Sequence, residues 1–149
     1  MKEIKLTNGA IALVDDEDFE KVSRYNWRYA TGYARTTTRS RIMMHILIMG
    51  KQTGKQIDHI DRNRLNNQKS NLRFCTFDEN QRNKSKIKNC TSIYKGVCWK
   101  KNRNKWEAKI KYKRKCYYLG LFEKEEEAAI AYNKKAIELF KEFANLNDV

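Results

Sequence analysis

Apolar and polar positions along the chain change period several times, and each change marks an element. Ile4 and Leu6 on one side and the apolar run 10–14 on the other flank Asn8-Gly9, a dipeptide suited to the positive φ of a hairpin turn. Residues 15–24 open with acids and carry Phe19 and Val22 three apart, which predicts a short helix. Residues 27–29 and 33–35 flank Thr31-Gly32 and predict a second hairpin. The apolar run 41–49 fits a buried strand or a helix equally well, because periodicity does not separate the two in so short a run. After it, 56–60 reads as a strand, 61–70 as a polar loop, 71–76 as a strand and 77–83 as a helix. Thr76 with Glu79 three residues later has the form of a capping box and starts that helix.

Residues 81–90 form a basic polar stretch without Pro or Gly. Three further strands are predicted at 94–99, 106–112 and 115–119, followed by a helix at 125–140 whose opening Glu125-Glu126-Glu127 suits the positive end of the helix dipole. Trp106, Ala108 and Ile110 alternate with Glu107, Lys109 and Lys111, giving the middle strand an apolar face and a charged face. The same phase turns Tyr117 and Leu119 inward and Cys116 and Tyr118 outward. Lys95 and Val97 share a parity, so a bulge or twist near Gly96 is expected. Ala128, Ala129, Ala131 and Ala136 would let the helix approach the sheet closely, and Lys141 stands where a helix-ending Gly is common.

Composition narrows the class. Of 149 residues none is Pro and only 6 are Gly, which excludes a collagenous or Pro-rich disordered chain, while 40% hydrophobic residues suffice for one modest domain or two small ones. No apolar run approaches the roughly 20 residues of a membrane span. Residues 1–6 alternate charge and apolarity and lack a signal-peptide core, so an intracellular protein with no membrane partner is expected. The cysteines at 75, 90, 98 and 116 include no pair at a zinc-site gap, and only two histidines could complete such a site. Reduced, packed thiols and no structural zinc are therefore expected; the sequence does not fix the oligomeric state, a monomer being the favoured reading.

Charge adds a partner class. The net +14 points to a polyanion, because fixed cations displace the counterions condensed on nucleic acid. It is concentrated: residues 81–118 hold fourteen Lys/Arg against the single acid Glu107, a net +13, whereas 1–80 carry +4 and 119–149 carry −3. Tyr94, Trp99, Trp106, Tyr112, Tyr117 and Tyr118 interleave those cations and divide between a sheet core and base or phosphate contact.

Hydrolysis of a phosphodiester needs a base to activate water and a positive centre to stabilise charge on the phosphate. His59 can take the proton near pH 7, and Asp58 and Asn80 offer hard oxygens of the kind Mg²⁺ prefers. Neighbouring strand residues face opposite ways, so Asp58 and His59 can flank one phosphate only where the strand ends or bends, as the loop at Asp61 allows.

Ile57-Asp58-His59-Ile60-Asp61, then Asn66-Asn67, Ser70-Asn71-Leu72-Arg73 and Asp78-Glu79-Asn80-Gln81-Arg82-Asn83 together resemble the HNH endonuclease motif in its His-Asn-Asn form, found in phage and intron-borne homing endonucleases. The resemblance spans about residues 43–84. It implies a ββα-metal finger in which His59 is the general base, Asp58 and Asn80 hold one divalent ion, Mg²⁺ with Mn²⁺ as the alternative, and Asn71 braces the loop. His45 resembles the His that precedes this motif in related phage proteins, and a packed, hydrogen-bonded ring is expected for it.

The segments 92–99, 105–110, 118–122, 127–132 and 143–147 resemble the AP-two/ERF DNA-binding domain, which implies a three-stranded antiparallel sheet entering the major groove of double-stranded DNA with a helix behind it. By position, Lys95, Lys101, Arg103, Lys109, Lys111 and Tyr118 become groove candidates and Tyr132 a phosphate contact. Arg82, Lys84, Lys86 and Lys88 would track the backbone. The family's arginines are mostly lysines here, which suit phosphate contact but lack the fork that reads guanine.

The expected protein is thus α+β: an HNH endonuclease domain at 1–84 with its finger at about 56–84 and hairpins before it, a linker at 85–91, and a DNA-binding domain at 92–149 whose three-stranded sheet packs on one helix. Its expected function is metal-dependent DNA cleavage; the alternative is a DNA-binding regulator with an inactive HNH remnant.

Overall fold

A computed structural model describes residues 1–83 and 91–149. The expectations for Lys84, Lys86, Lys88 and Cys90, and most of the linker, lie outside the described residues. The fold is mixed α and β, in two compact units, Met1–Asn80 and Gln81–Val149.

In the first unit β1 (Lys2–Lys5) and β2 (Ile11–Val14) pair antiparallel with Ile4 opposite Ala12. Their connection is closed by Leu6 N donating to Ala10 O at 2.8 Å, with Gly9 at φ +85°. Helix α1 (Asp16–Ser23) and a second hairpin, β3 (Trp27–Ala30) with β4 (Tyr33–Thr36), follow as the pattern predicts. The ambiguous apolar run is helical: α2 (Met44–Met49) turns Met44, His45 and Ile48 inward. The helix wins because positions 44 and 48, one turn apart, both meet the cluster formed by Ile4, Val14, Val22, Trp27 and Leu72. The buried Trp27 indole keeps a partner by donating Nε1 to Val22 O at 2.9 Å.

β5 (Gln56–His59), β6 (Leu72–Cys75) and α3 (Phe77–Arg82) complete a strand-loop-strand-helix unit. The capping box forms: Thr76 N donates to Glu79 Oε2 at 2.7 Å and Glu79 N to Thr76 Oγ1 at 3.3 Å.

The second unit is a sheet of β7 (Val97–Lys100), β8 (Lys105–Tyr112) and β9 (Lys115–Phe122) in that order, backed by α4 (Glu125–Phe140). Ala128, Ala129 and Ala136 are fully buried, which lets α4 lie close to the sheet. Two expectations are corrected. The first strand starts at Val97, three residues late, after the expected twist at Gly96, and an unexpected bulge falls on β9: Ala108 pairs with Gly120 but Lys109 with Tyr118, leaving Leu119 as the extra residue. Gly96 explains the late start. At φ +78° it lies under the Tyr132 ring, where a Cβ would come 2.1 Å from Tyr132 Cδ2. Lys141 takes φ +49° where Gly was expected to end the helix.

Cys75, Cys98 and Cys116 are free thiols. Burial pushes Cys75 up to about 11, but Cys116 is exposed rather than packed. Among the described residues no helix is long and apolar enough to cross a membrane.

Candidate active site

The loop between β5 and β6 is held at both ends. Asn71, buried at its far end, accepts Asp61 N on Oδ1 at 3.0 Å, while its Nδ2 donates to Asp61 Oδ1 at 2.9 Å and to Asn66 O at 2.8 Å. Asp61 Oδ2 also takes Asn66 Nδ2 at 2.8 Å. On the outer side the loop is tied to the N-terminal elements. Leu13 N donates to Leu65 O and Asn67 N to Leu13 O, both at 2.8 Å. Asp15 accepts Lys69 N at 2.7 Å and Gln68 Nε2 at 3.1 Å, and the Lys69 bond is the main reason its carboxyl sits below the usual range. The hairpin and α1 therefore act as a frame for the loop.

His59 ends β5, where the chain turns and Arg62 N donates to His59 O at 2.9 Å. Its side chain enters the first unit while Asp58, on the opposite strand face, pairs across the register with Arg73. His59 is 4% exposed, and Nε2 lies 3.3 Å from Oδ1 of Asn67, itself 1% exposed. Its ring meets His45 edge-on at 5.2 Å. The Tyr33 ring lies tilted against His45 at 5.2 Å, and Arg64 lies 4.5 Å over Tyr33. Burial pulls the His59 imidazole below its usual pKa, with the Asn67 bond opposing, and pulls His45 down to about 4, reinforced by His59. Both rings are neutral at pH 7. His45 is packed as expected, but among the described residues it is held by ring contacts rather than by hydrogen bonds.

Arg73 donates Nε and Nη2 to Asp58 Oδ2 at 3.0 and 2.9 Å. Asn80, in the first turn of α3, donates Nδ2 to Gln56 Oε1 at 2.7 Å. Gln56 precedes Asp58 by two residues and shares its strand face, so Asn80 is moored beside the carboxylate's side of β5. Because Nδ2 is the donor in that bond, Oδ1 of Asn80 is the oxygen available to a cation. A carboxylate and a carboxamide oxygen suit a hard divalent ion that completes its shell with water and phosphate. Among the described residues no group of three or more His, Cys, Asp or Glu side chains could hold a metal ion.

Comparison with known proteins decides the family. The HNH endonuclease family model matches residues 43–82, which run from α2 through α3. An uncharacterized HNH endonuclease of Acanthamoeba polyphaga mimivirus is 34% identical over 148 residues, covering 95% of this chain and 76% of that protein. This chain belongs to the HNH endonuclease family. Protein 3.8 of Escherichia phage T7 is 42% identical over 57 residues, 38% of this chain and 47% of that protein.

The second unit of this HNH endonuclease carries the expected basic face. Lys109 pairs with Tyr118 and Lys111 with Cys116, all on the side of the sheet away from α4, and Lys109, Lys111 and Tyr118 are exposed. Lys101 and Arg103 are exposed in the β7–β8 turn. Glu107 lies between Lys100 and Lys109 at 3.2 and 3.3 Å; burial raises its pKa, but the two ammonium groups outweigh that and hold it below the usual range. Lys113 and Arg114, not singled out in the sequence, form the β8–β9 turn with φ +44° and +64° and stand exposed at its tip.

Three candidates lie elsewhere. Tyr132 is 3% exposed and its ring covers Gly96, so it is a core residue rather than a phosphate contact; burial pushes its phenol up to about 12. Lys95 donates Nζ to Arg82 O at 2.8 Å, and the Arg82 guanidinium lies over the Tyr112 and Phe140 rings at 4.7 and 4.8 Å. Both cations are engaged within the second unit. Sequence reasoning also passed over Asn67, Tyr33 and Arg73. Asn67 and Arg73 stand inside the quoted motif, but only the fold shows what they touch.

Proposed function

We propose that this HNH endonuclease hydrolyses phosphodiester bonds of double-stranded DNA with a divalent ion, Mg²⁺ or Mn²⁺, and that its second unit is an AP-two/ERF-like module that holds the duplex. The observation that carries the reading is the placement of a neutral, buried His59 at the end of β5 beside a loop braced by Asn71.

In this reading His59 takes the proton of the attacking water, and its lowered pKa keeps it a free base at neutral pH. Asn71 keeps the loop from shifting relative to that base. Asp58 and Asn80 would hold the cation, whose chemistry is to stabilise charge on the phosphate and leaving oxygen. Arg73 fixes the Asp58 carboxylate in place through its two bonds to Oδ2. Lys109, Lys111 and Tyr118, with Lys101 and Arg103 at the adjoining turn, would meet the phosphates through lysines that grip without reading bases. The AP-two/ERF likeness is supported by the order of three antiparallel strands and a helix. Incubation of supercoiled plasmid with the protein should yield nicked or linear DNA in Mg²⁺ and none after chelation. Undiminished cutting in chelator would remove the metal from the mechanism.

A further inference from the structure

Charge in the first unit is segregated. Residues 21–57 hold eight Lys/Arg and no Asp or Glu, so the +4 of residues 1–80 conceals a run of +8. Part of that run forms one face of the β3–β4 hairpin. Arg28 stands directly opposite Arg35 and Ala30 opposite Tyr33, which puts both arginines and Tyr33 on one side of the strands, away from the buried Trp27, Ala34 and Thr36. Arg64, from the loop between β5 and β6, joins this face by lying 4.5 Å over the Tyr33 ring. Gly32 leaves room for it, since a Cβ there would come 2.7 Å from Arg64 Nη1. The Tyr33 ring in turn lies 6.1 Å from that of His59.

Like charges directly opposite on an antiparallel pair repel. Elsewhere in the unit Lys69 pairs with Glu17 and Asp18, and Arg73 with Asp58, but among the described residues none of Arg28, Arg35 and Arg64 forms an ion pair, and the buried Nε–H of Arg35 has no acceptor. We propose that Arg28, Arg35 and Arg64 form a phosphate-binding face of the nuclease unit, which takes the sugar-phosphate backbone of the DNA substrate beside the bond that is cut. The inference rests on the reading of the chain as a DNA nuclease centred on His59, and adds a grip within the cutting unit to that of the basic sheet. Phosphate is the chemistry that fits, because a guanidinium stays charged and offers a planar fork of donors to phosphate oxygens. A backbone laid across Arg28 and Arg35 converts their mutual repulsion into a shared attraction. Tyr33, beneath Arg64 and beside His45 and His59, makes this face begin next to the catalytic histidine.

Fluorescence anisotropy of a labelled duplex, titrated at several salt concentrations with the full chain carrying His59→Ala to prevent cutting, tests this. Adding Arg28→Gln or Arg64→Gln, both at exposed positions, should each lower the slope of log affinity against log salt by about one unit, and Arg64→Lys should keep the slope of the parent. Parent slopes in both glutamine variants would overturn the proposal. Phenylglyoxal modification of the wild-type chain, read by peptide mass spectrometry, needs no variant: saturating duplex should slow the reaction of Arg28 and Arg64 several-fold, and unchanged rates at both would overturn the proposal as well. Plasmid cleavage by the wild type alongside either overturning result would leave the nuclease reading intact and refute only this face. Lowered slopes in a chain whose wild type cuts nothing would refute the nuclease reading and keep the face as a DNA contact.

Discussion

Asn71 and Asp61 are joined twice, Asp61 N to Asn71 Oδ1 at 3.0 Å and Asn71 Nδ2 to Asp61 Oδ1 at 2.9 Å, so one side chain spans the loop between β5 and β6. Asn71→Asp replaces the donor with a carboxylate facing the Asp61 carboxylate. That variant should lose cleavage about 10- to 100-fold through misplacement of the base while the second unit still binds DNA. Kinetics on a nicked-plasmid assay and a gel-shift titration would separate the two.

Burial holds His45 near pKa 4 against 6.5 for the free side chain, which makes stability depend on pH. Between those values the unfolded chain takes up a proton that the folded chain does not. Stability is therefore full above pH 6.5 and falls as the pH drops towards 4, by about 3 kcal/mol for this one group. His59, also depressed, acts in the same direction. In His45→Phe the ring contact survives and its share of the acid loss should vanish. Urea unfolding from pH 7.5 to 4.5 would measure it.

The basic sheet face should bind mainly through phosphates. Lys109→Ala and Lys111→Ala are each expected to reduce the salt dependence of DNA affinity by about one unit of slope and to weaken binding alike across unrelated sequences. A change confined to one sequence would instead make these lysines base readers. Fluorescence anisotropy at several salt concentrations distinguishes the outcomes.

Gly96 and Tyr132 form a packing pair, so their variants should act on stability and leave DNA affinity alone. Gly96→Ala adds a Cβ 2.1 Å from the Tyr132 ring at a φ of +78°, and should destabilise by about 2 kcal/mol or more. Tyr132→Phe keeps the ring and should bind DNA as tightly as the wild type.

Local chemistry carried much of this into the sequence. The Thr76–Glu79 box, the Asn8-Gly9 turn and the alternation of Trp106 to Lys111 act over a few residues, and each took its expected form. The run at 41–49 did not reveal its type, because only packing of Met44 and Ile48 against distant residues selects the helix. Tyr132 was assigned to a phosphate by its position in the AP-two/ERF resemblance, but its ring covers the Gly96 backbone and is buried. Asn67 was quoted as a motif letter, but its bond to His59 depends on a loop pinned by Leu13. Side chains that meet through long loops leave no spacing to read.

Cleavage of supercoiled plasmid by the wild type and by His59→Ala, each at matched DNA occupancy in Mg²⁺, tests the central claim. The variant should bind DNA with unchanged affinity and cut at least about 100-fold more slowly; equal cutting by the two proteins would contradict the assignment of His59 as the base.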